Sequence, residues 1–249
     1  MAIVDFADSF RVYAGNFPTA LSFSLLLVFV FPFMWLSNSF VSSGTMFISY
    51  GFLKAPVFNS LGLLALVLVF LFFYSALVCL MVLAVRRDLS SVKTDYYLRE
   101  KIQKFAFKYF RFLAVFTLGS AIISSVLLEL GLPVEVINIV LLVASSSFIF
   151  LPQTLVIDEE GLAASILSAW EYLLTHFWNY LLVVVFGIVA IFLVQVVEYL
   201  ADYYLSGIGG FVSLILCLSV FVPFFEAMKT QIYMSRFDII RSYESRLPR

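Results

Sequence analysis

The sequence predicts an all-α, polytopic membrane protein with six transmembrane helices. Three observations lead there. Of 249 residues, 63 % are hydrophobic and only 12 % charged, against about a quarter charged in soluble domains. Sixteen acids, fifteen bases and one histidine are too few to cover the surface of a soluble protein of this length, so lipid must solvate most of it. Ala55 to Val85 runs 31 residues without a charge, and about 20 suffice to cross a bilayer core. The apolar runs are continuous rather than alternating, which excludes barrel strands.

In chain order the spans fall at 19–37, 60–85, 111–129, 134–154, 178–199 and 209–232. The N-terminal stretch has acids at Asp5 and Asp8 and no basic cluster, so the first span is expected to remain rather than be cleaved. The connection 38–59 is too short and polar for another crossing; it either lies along the outer interface or dips part-way in. The third span has only Phe112 to Leu128 free of charge, enough if Arg111 snorkels and Glu129 meets water. The fourth is expected to end at Leu151-Pro152, because proline lacks an N–H and constrains its predecessor. Asp158, Glu159 and Glu160 then precede Gly161 and a helix over about 162–175. Asp158 is the expected N-cap, with Ile166, Trp170 and Leu173 facing the membrane and Ser168, Glu171 and Thr175 nearer water. GIGG at Gly207–Gly210 reads as a tight turn opening the sixth span.

The basic residues predict an orientation. Arg86, Arg87, Lys93, Arg99, Lys101, Lys104, Lys108 and Arg111 follow the second span, Lys229, Arg236, Arg241, Arg246 and Arg249 close the chain, and Arg11 precedes the first span. Lys54 alone falls on the other side. This asymmetry predicts a multi-pass protein of the cell membrane with both termini and the 86–111 connection cytoplasmic. Glu129, Glu135, Glu198 and Asp202 then lie outside.

Superposing Phe17, Phe110 and Phe177 aligns three segments in which a polar or amphipathic turn leads through an aromatic into an apolar helix. The first and third agree best, matching Asn16 with His176 and Phe17 with Phe177. Three repeats of interfacial helix plus hairpin, at 5–85, 98–154 and 162–232, account for one domain over 1–249. Aromatic-rich turns also occur wherever helices meet an interface, so composition alone is the competing explanation.

Leu151-Pro152, Val156-Ile157-Asp158-Glu159, Gly161, Ala164-Ser165, Trp170 and Phe177-Trp178 together resemble a signature of prokaryotic multi-helix membrane proteins related to the membrane domain of glycerophosphoryl diester phosphodiesterases and to neighbouring uncharacterised families. The resemblance covers roughly residues 148–182, and Ala169 stands where the signature has serine. It implies an integral membrane domain, usually without an assigned activity; no hydrophilic region here approaches the length of the soluble phosphodiesterase barrel attached in some relatives, so that barrel is not expected.

Candidate chemistry is sparse. Glu226 follows Pro223 in the sixth span and Lys229 lies three residues on, on the same helical side. The pair is either a structural ion pair or a contact for substrate or ion in a pathway. Pro223 and Pro32 are expected to bend their helices, and Gln153, Thr154, Gln195 and Asn138 add polar groups that either line a vestibule or join helices. His176, the only histidine, cannot make a histidine metal cluster; interfacial hydrogen bonding or proton handling are its two readings. Asp158, Glu159, Trp170, His176, Phe177 and Trp178 form a candidate cytoplasmic interface. No phosphate-loop, dinucleotide, GxSxG or HExxH pattern occurs, so no cofactor is expected. Aromatics interleave the basic 86–111 connection, which favours anionic lipid headgroups over nucleic acid as its partner. A transporter or channel-like protein for a small or lipidic substrate leads, ahead of a membrane scaffold that binds a partner protein or a second copy, with a membrane-embedded enzyme third.

Overall fold

A computed structural model describes residues 6–37, 40–47, 57–89 and 98–237 of the chain. Among the described residues, six helices are long and apolar enough to cross a membrane: Phe17–Ser37, Ser60–Leu89, Lys101–Glu129, Val134–Ile157, Phe177–Tyr204 and Gly209–Met234. Among the described residues the architecture is all-α apart from one small hairpin. A multi-pass membrane protein is the plain reading of these helices.

Helix α1 (Phe6–Gly15) is amphipathic and buries Ser9 and Tyr13. Asn16 breaks it from the first span, which comprises α2 (Phe17–Leu21), a tighter turn Ser22–Leu26 and α3 (Leu27–Ser37). The Asn16 Nδ2 donates to the Val12 carbonyl at 3.0 Å and to Asp88 at 2.6 Å, pinning this corner to the end of α4 (Val57–Leu89). His176 breaks α8 (Leu162–Thr175) from α9 (Phe177–Tyr204) in the same manner. In both corners the break residue's carbonyl accepts an amide from the following helix. The third span differs. Helix α5 runs unbroken from Leu98 to Glu129, so the amphipathic segment expected ahead of the span is its first turns. No glycine, proline or asparagine interrupts 98–118. Lys101, Lys104, Lys108 and Arg111 recur at helical spacing along one stripe while Phe105 and Tyr109 are buried on another.

Span four also departs from expectation. It contains α6 (Val134–Ser146), a turn at Ser147–Phe150, and α7 (Leu151–Ile157). Pro152 opens α7 instead of ending the span, because a proline in the first helical turn sacrifices an N–H that has no helical partner. The turn between α5 and α6 is closed by Gly131, whose φ of +78° supports amide bonds from Leu132 to Leu127 and from Gly131 to Leu128.

Part of the 38–59 connection dips into the bundle. Strands β1 (Phe40–Ser42) and β2 (Thr45–Phe47) pair antiparallel through a two-residue turn with positive φ at Ser43 and Gly44. The Ser43 amide donates to the Glu198 carboxylate, and the Gly44 amide donates to Ser213 Oγ at 3.2 Å. A Cβ on Gly44 would sit 2.6 Å from that of Cys217, about two turns inside the sixth span. Lys54, with the rest of 48–56, lies outside the described residues.

The core sits between α4 and the sixth span. That span runs as α10 (Gly209–Leu216), a wide π-turn at Cys217–Phe221, and α11 (Val222–Met234). The amide of Val222 bonds back to Cys217. Pro223 follows, with no N–H to return to Ser219, and the wide turn absorbs its ring. Helix α11 packs against α4 on one side and α1 on another, with α7 and α9 completing the enclosure. Every residue from Glu226 to Met234 is consequently buried.

Candidate functional site

Burial on all sides makes α11 an expensive place for charge, yet it carries Glu226 and Lys229, exposed by only 3 % and 4 %. The two meet. Lys229 Nζ donates to Glu226 Oε1 at 2.7 Å and to the Ile149 carbonyl at 3.0 Å, and stands 5.4 Å from the centre of the Phe225 ring. The Ile149 carbonyl is available because it belongs to the turn that interrupts span four. From α7, Gln153 Nε2 donates to Glu226 Oε2 at 3.1 Å and to Thr230 Oγ1 at 3.4 Å. The Thr230 hydroxyl donates to the Glu226 carbonyl at 2.7 Å. Each charge therefore has an opposite charge and a neutral partner, the condition for tolerating a buried pair. One acceptor in this network is left over: Gln153 Oε1 is buried without a partner.

Above the pair lies a cavity of about 420 Å³. Five spans wall it, through Tyr74, Tyr109, Phe116, Phe148, Gly187 and Phe225 among others, with Glu226 and Lys229 at its polar end. Phe221 and Val222, at the join of the π-turn and α11, also line it. The break in span four and the wide turn in span six thus flank one chamber at mid-depth. Asn138 and Gln195, considered for a vestibule, point outward and do not line it.

A second cluster organises the Asp158–Glu160 loop. Asp158 is not the cap of α8, whose N-cap is Gly161 without a side-chain bond. Instead Asp158 ends α7 and accepts from Arg236 Nη2 at 2.6 Å and from the Tyr233 hydroxyl at 2.5 Å. Arg236 packs 4.1 Å from the Tyr233 ring centre. Glu160 takes the local role, accepting from Ser168 Oγ at 3.0 Å, while its carbonyl accepts from Lys108 Nζ at 2.8 Å. Glu159, with a φ of +60°, accepts from Arg86 at 2.9 Å and Lys101 at 2.7 Å. Partial burial opposes its ionisation, but the hydrogen bonds and charges of Lys101 and Arg86 outweigh that and hold the carboxyl below its ordinary 4.5. Three bases of the 86–111 connection are therefore engaged by the chain's own acidic loop.

His176 stacks on Tyr172 at 4.6 Å, and its Nδ1 lies 2.9 Å from Thr175 Oγ1. Burial raises the Tyr172 hydroxyl above its ordinary pKa, against the Asn179 hydrogen bond and the Arg236 charge. On α8 the inward face is Ser165, Ala169 and Tyr172, with Ile166 packed beside them; Leu167, Trp170 and Leu174 form the outward apolar stripe. Ile166 was expected outside and instead joins the core. Phe177 and Trp178 are exposed at the start of span five. Among the expected interface residues, Asp158 and His176 are gathered around Tyr172, Tyr233 and Arg236, whereas Glu159 pairs across the loop with α4 and α5.

Among the described residues, no group of three histidine, cysteine, aspartate or glutamate side chains is arranged to hold a metal. No family model, curated protein or solved structure matches the chain.

Sequence reasoning singled out Glu226, Lys229, Gln153 and Pro223; the fold joins the first three by hydrogen bonds, and of the four Glu226 and Lys229 line the chamber while Gln153 and Pro223 do not. It missed Thr230, Tyr74, Tyr109 and the Ile149 carbonyl. Thr230 was findable, four residues after Glu226 on the same face; the others belong to different spans, and only packing joins them.

Proposed function

We propose that this is a membrane transporter or channel-like protein for a small or lipidic substrate, with the chamber of about 420 Å³ as its binding site. One observation carries the reading: a buried, fully partnered Glu226–Lys229 pair forms the polar end of an otherwise apolar cavity at mid-depth. Buried ions in a membrane helix are costly and characteristically serve a pathway, and apolar clefts with a few convergent polar groups are the usual form of ligand sites. Breaks in two spans beside the chamber support it further, since irregular backbone at membrane depth is tolerated where it lines a cavity. The basic asymmetry supports an orientation with the Asp158–Glu160 loop in the cytoplasm. The likeness to phosphodiesterase-linked membrane domains over 148–182 fits the same reading without importing that enzyme's chemistry.

Purified protein in vesicles, screened for flux of ions, small solutes and labelled lipids, tests the proposal. Glu226→Gln removes the charge at nearly constant shape, its single amide oxygen accepting from Lys229 or Gln153 but not from both, and Gly187→Leu narrows the chamber. Selective flux that both substitutions reduce, measured on protein that remains folded, is the expected result. Flux insensitive to both would remove the chamber from the path.

A further inference from the structure

The geometry points to a lipid-phase amphiphile as the substrate, reaching the chamber sideways from the bilayer between spans four and five; this rests on the chamber being the binding site. Among its lining residues, Ser145 on span four and Ile191 on span five are exposed, Ile191 by 55 %. The chamber therefore opens between these two helices, at a depth where the surrounding medium is hydrocarbon. Span four is poorly held on this side. Of the thirteen residues of α6 only Ile137 is buried, and α6 packs on α5. Across the gap, α9 packs on α10, and Ile188 and Ile191 face outward. One side-chain hydrogen bond ties the two rims: the Tyr180 hydroxyl donates to Ser146 Oγ at 3.0 Å. The Ser147–Phe150 turn follows directly, so α6 has a joint at the level of the opening.

The lining matches such a ligand. Its apolar walls offer an aliphatic chain no hydrogen-bonding cost, and Lys229 and Glu226 present a donor and an acceptor of opposite charge at one end. A strongly hydrated ion entering by this route would shed its shell against phenylalanine, with the fixed charges already neutralising each other. A molecule with an apolar chain and a compact polar head loses nothing on the way in, because its chain passes from lipid to an equally apolar wall.

The test uses full-length protein with Cys79→Ala and Cys217→Ala, carrying a bimane label on Gly187→Cys inside the chamber. A Cβ at Gly187 meets only the Phe225 ring, at 3.6 Å, an ordinary contact. Ala190→Cys, on the same wall, provides a second position should the first disturb folding. Ile188→Cys, outward on the same helix, is the lipid-facing reference. In phosphatidylcholine vesicles, acyl chains brominated along their length should quench the chamber label, and aqueous iodide should not. Ile191→Trp, which narrows the opening, should reduce quenching in the chamber and leave it unchanged at position 188. Quenching by iodide, or chamber quenching that Ile191→Trp leaves untouched, overturns lateral access. The readout is independent of flux: iodide access with selective flux would leave the chamber with an aqueous route, whereas chain access without flux would leave a lipid site and overturn transport.

Discussion

At the scale of single residues, Glu226 and Lys229 are bound by mutual need. Lys229→Met strands a carboxylate that is 3 % exposed, so the expected loss is about 3–5 kcal/mol, read as a lowered Tm in detergent. Glu226→Leu combined with Lys229→Met removes both charges and should recover most of that loss, because an apolar pair of similar volume suits the site. A double variant no more stable than Lys229→Met would mean that the charges are not coupled. Glu159 behaves differently. Its carboxyl is held below 4.5 in the folded state, so its ion pairs stabilise the fold above that pH and lose their effect as pH falls through the depressed value. Between pH 6 and 3 the wild type should therefore lose more thermal stability than Glu159→Gln. Parallel curves for the two would remove the Arg86 and Lys101 clamp from the acid response.

At the scale of elements, the irregular pieces carry the specificity. Gly44 occupies φ +70° in a turn pressed on Cys217, so Gly44→Ala adds both a left-handed backbone cost of about 1–2 kcal/mol and a clash at a Cβ–Cβ separation of 2.6 Å. Faster hydrogen exchange at the Ser42 and Thr45 amides should report the detached hairpin; unchanged protection would mean the bundle yields instead. Pro223→Ala restores an N–H and lets the π-turn tighten toward regular helix. Tm should hold or rise while flux falls, as expected when an irregular turn is kept for the site and not for stability. The hairpin itself was invisible to hydropathy, since SSGTMFISYG is too short to register as a span. The continuity of α5 was visible in principle: 98–118 contains no residue that stops a helix, and the expected boundary at Arg111 reflected charge, not backbone chemistry.

At the scale of the whole molecule, two ends differ in charge. Bases and the acidic loop they clamp gather at one end, and Glu198 and Asp202 at the other, where Asp202 Oδ1 accepts the Gly209 amide at 2.7 Å. In a background without Cys79 and Cys217, Lys104→Cys should react with a membrane-impermeant maleimide only from the cytoplasm, and Tyr204→Cys only from outside. The reverse pattern would invert the orientation. Both positions lie on exposed faces, so labelling tests sidedness and not burial.

Hydropathy by itself determined that this chain is a six-helix membrane protein, because crossing a bilayer demands about 20 apolar residues in a row and that demand is written locally. The i, i+3 spacing likewise determined that Glu226 and Lys229 would meet, since one helix turn sets the distance. Tertiary structure alone decided that the pair is buried beneath a chamber, that Ile149 and Gln153 complete its bonding, and that Glu159 answers to Arg86 and Lys101. These partners stand 58 to 80 residues apart. In a chain whose apolar faces meet lipid and protein alike, the hydrophobic pattern says how deep a residue lies and not which helix it touches.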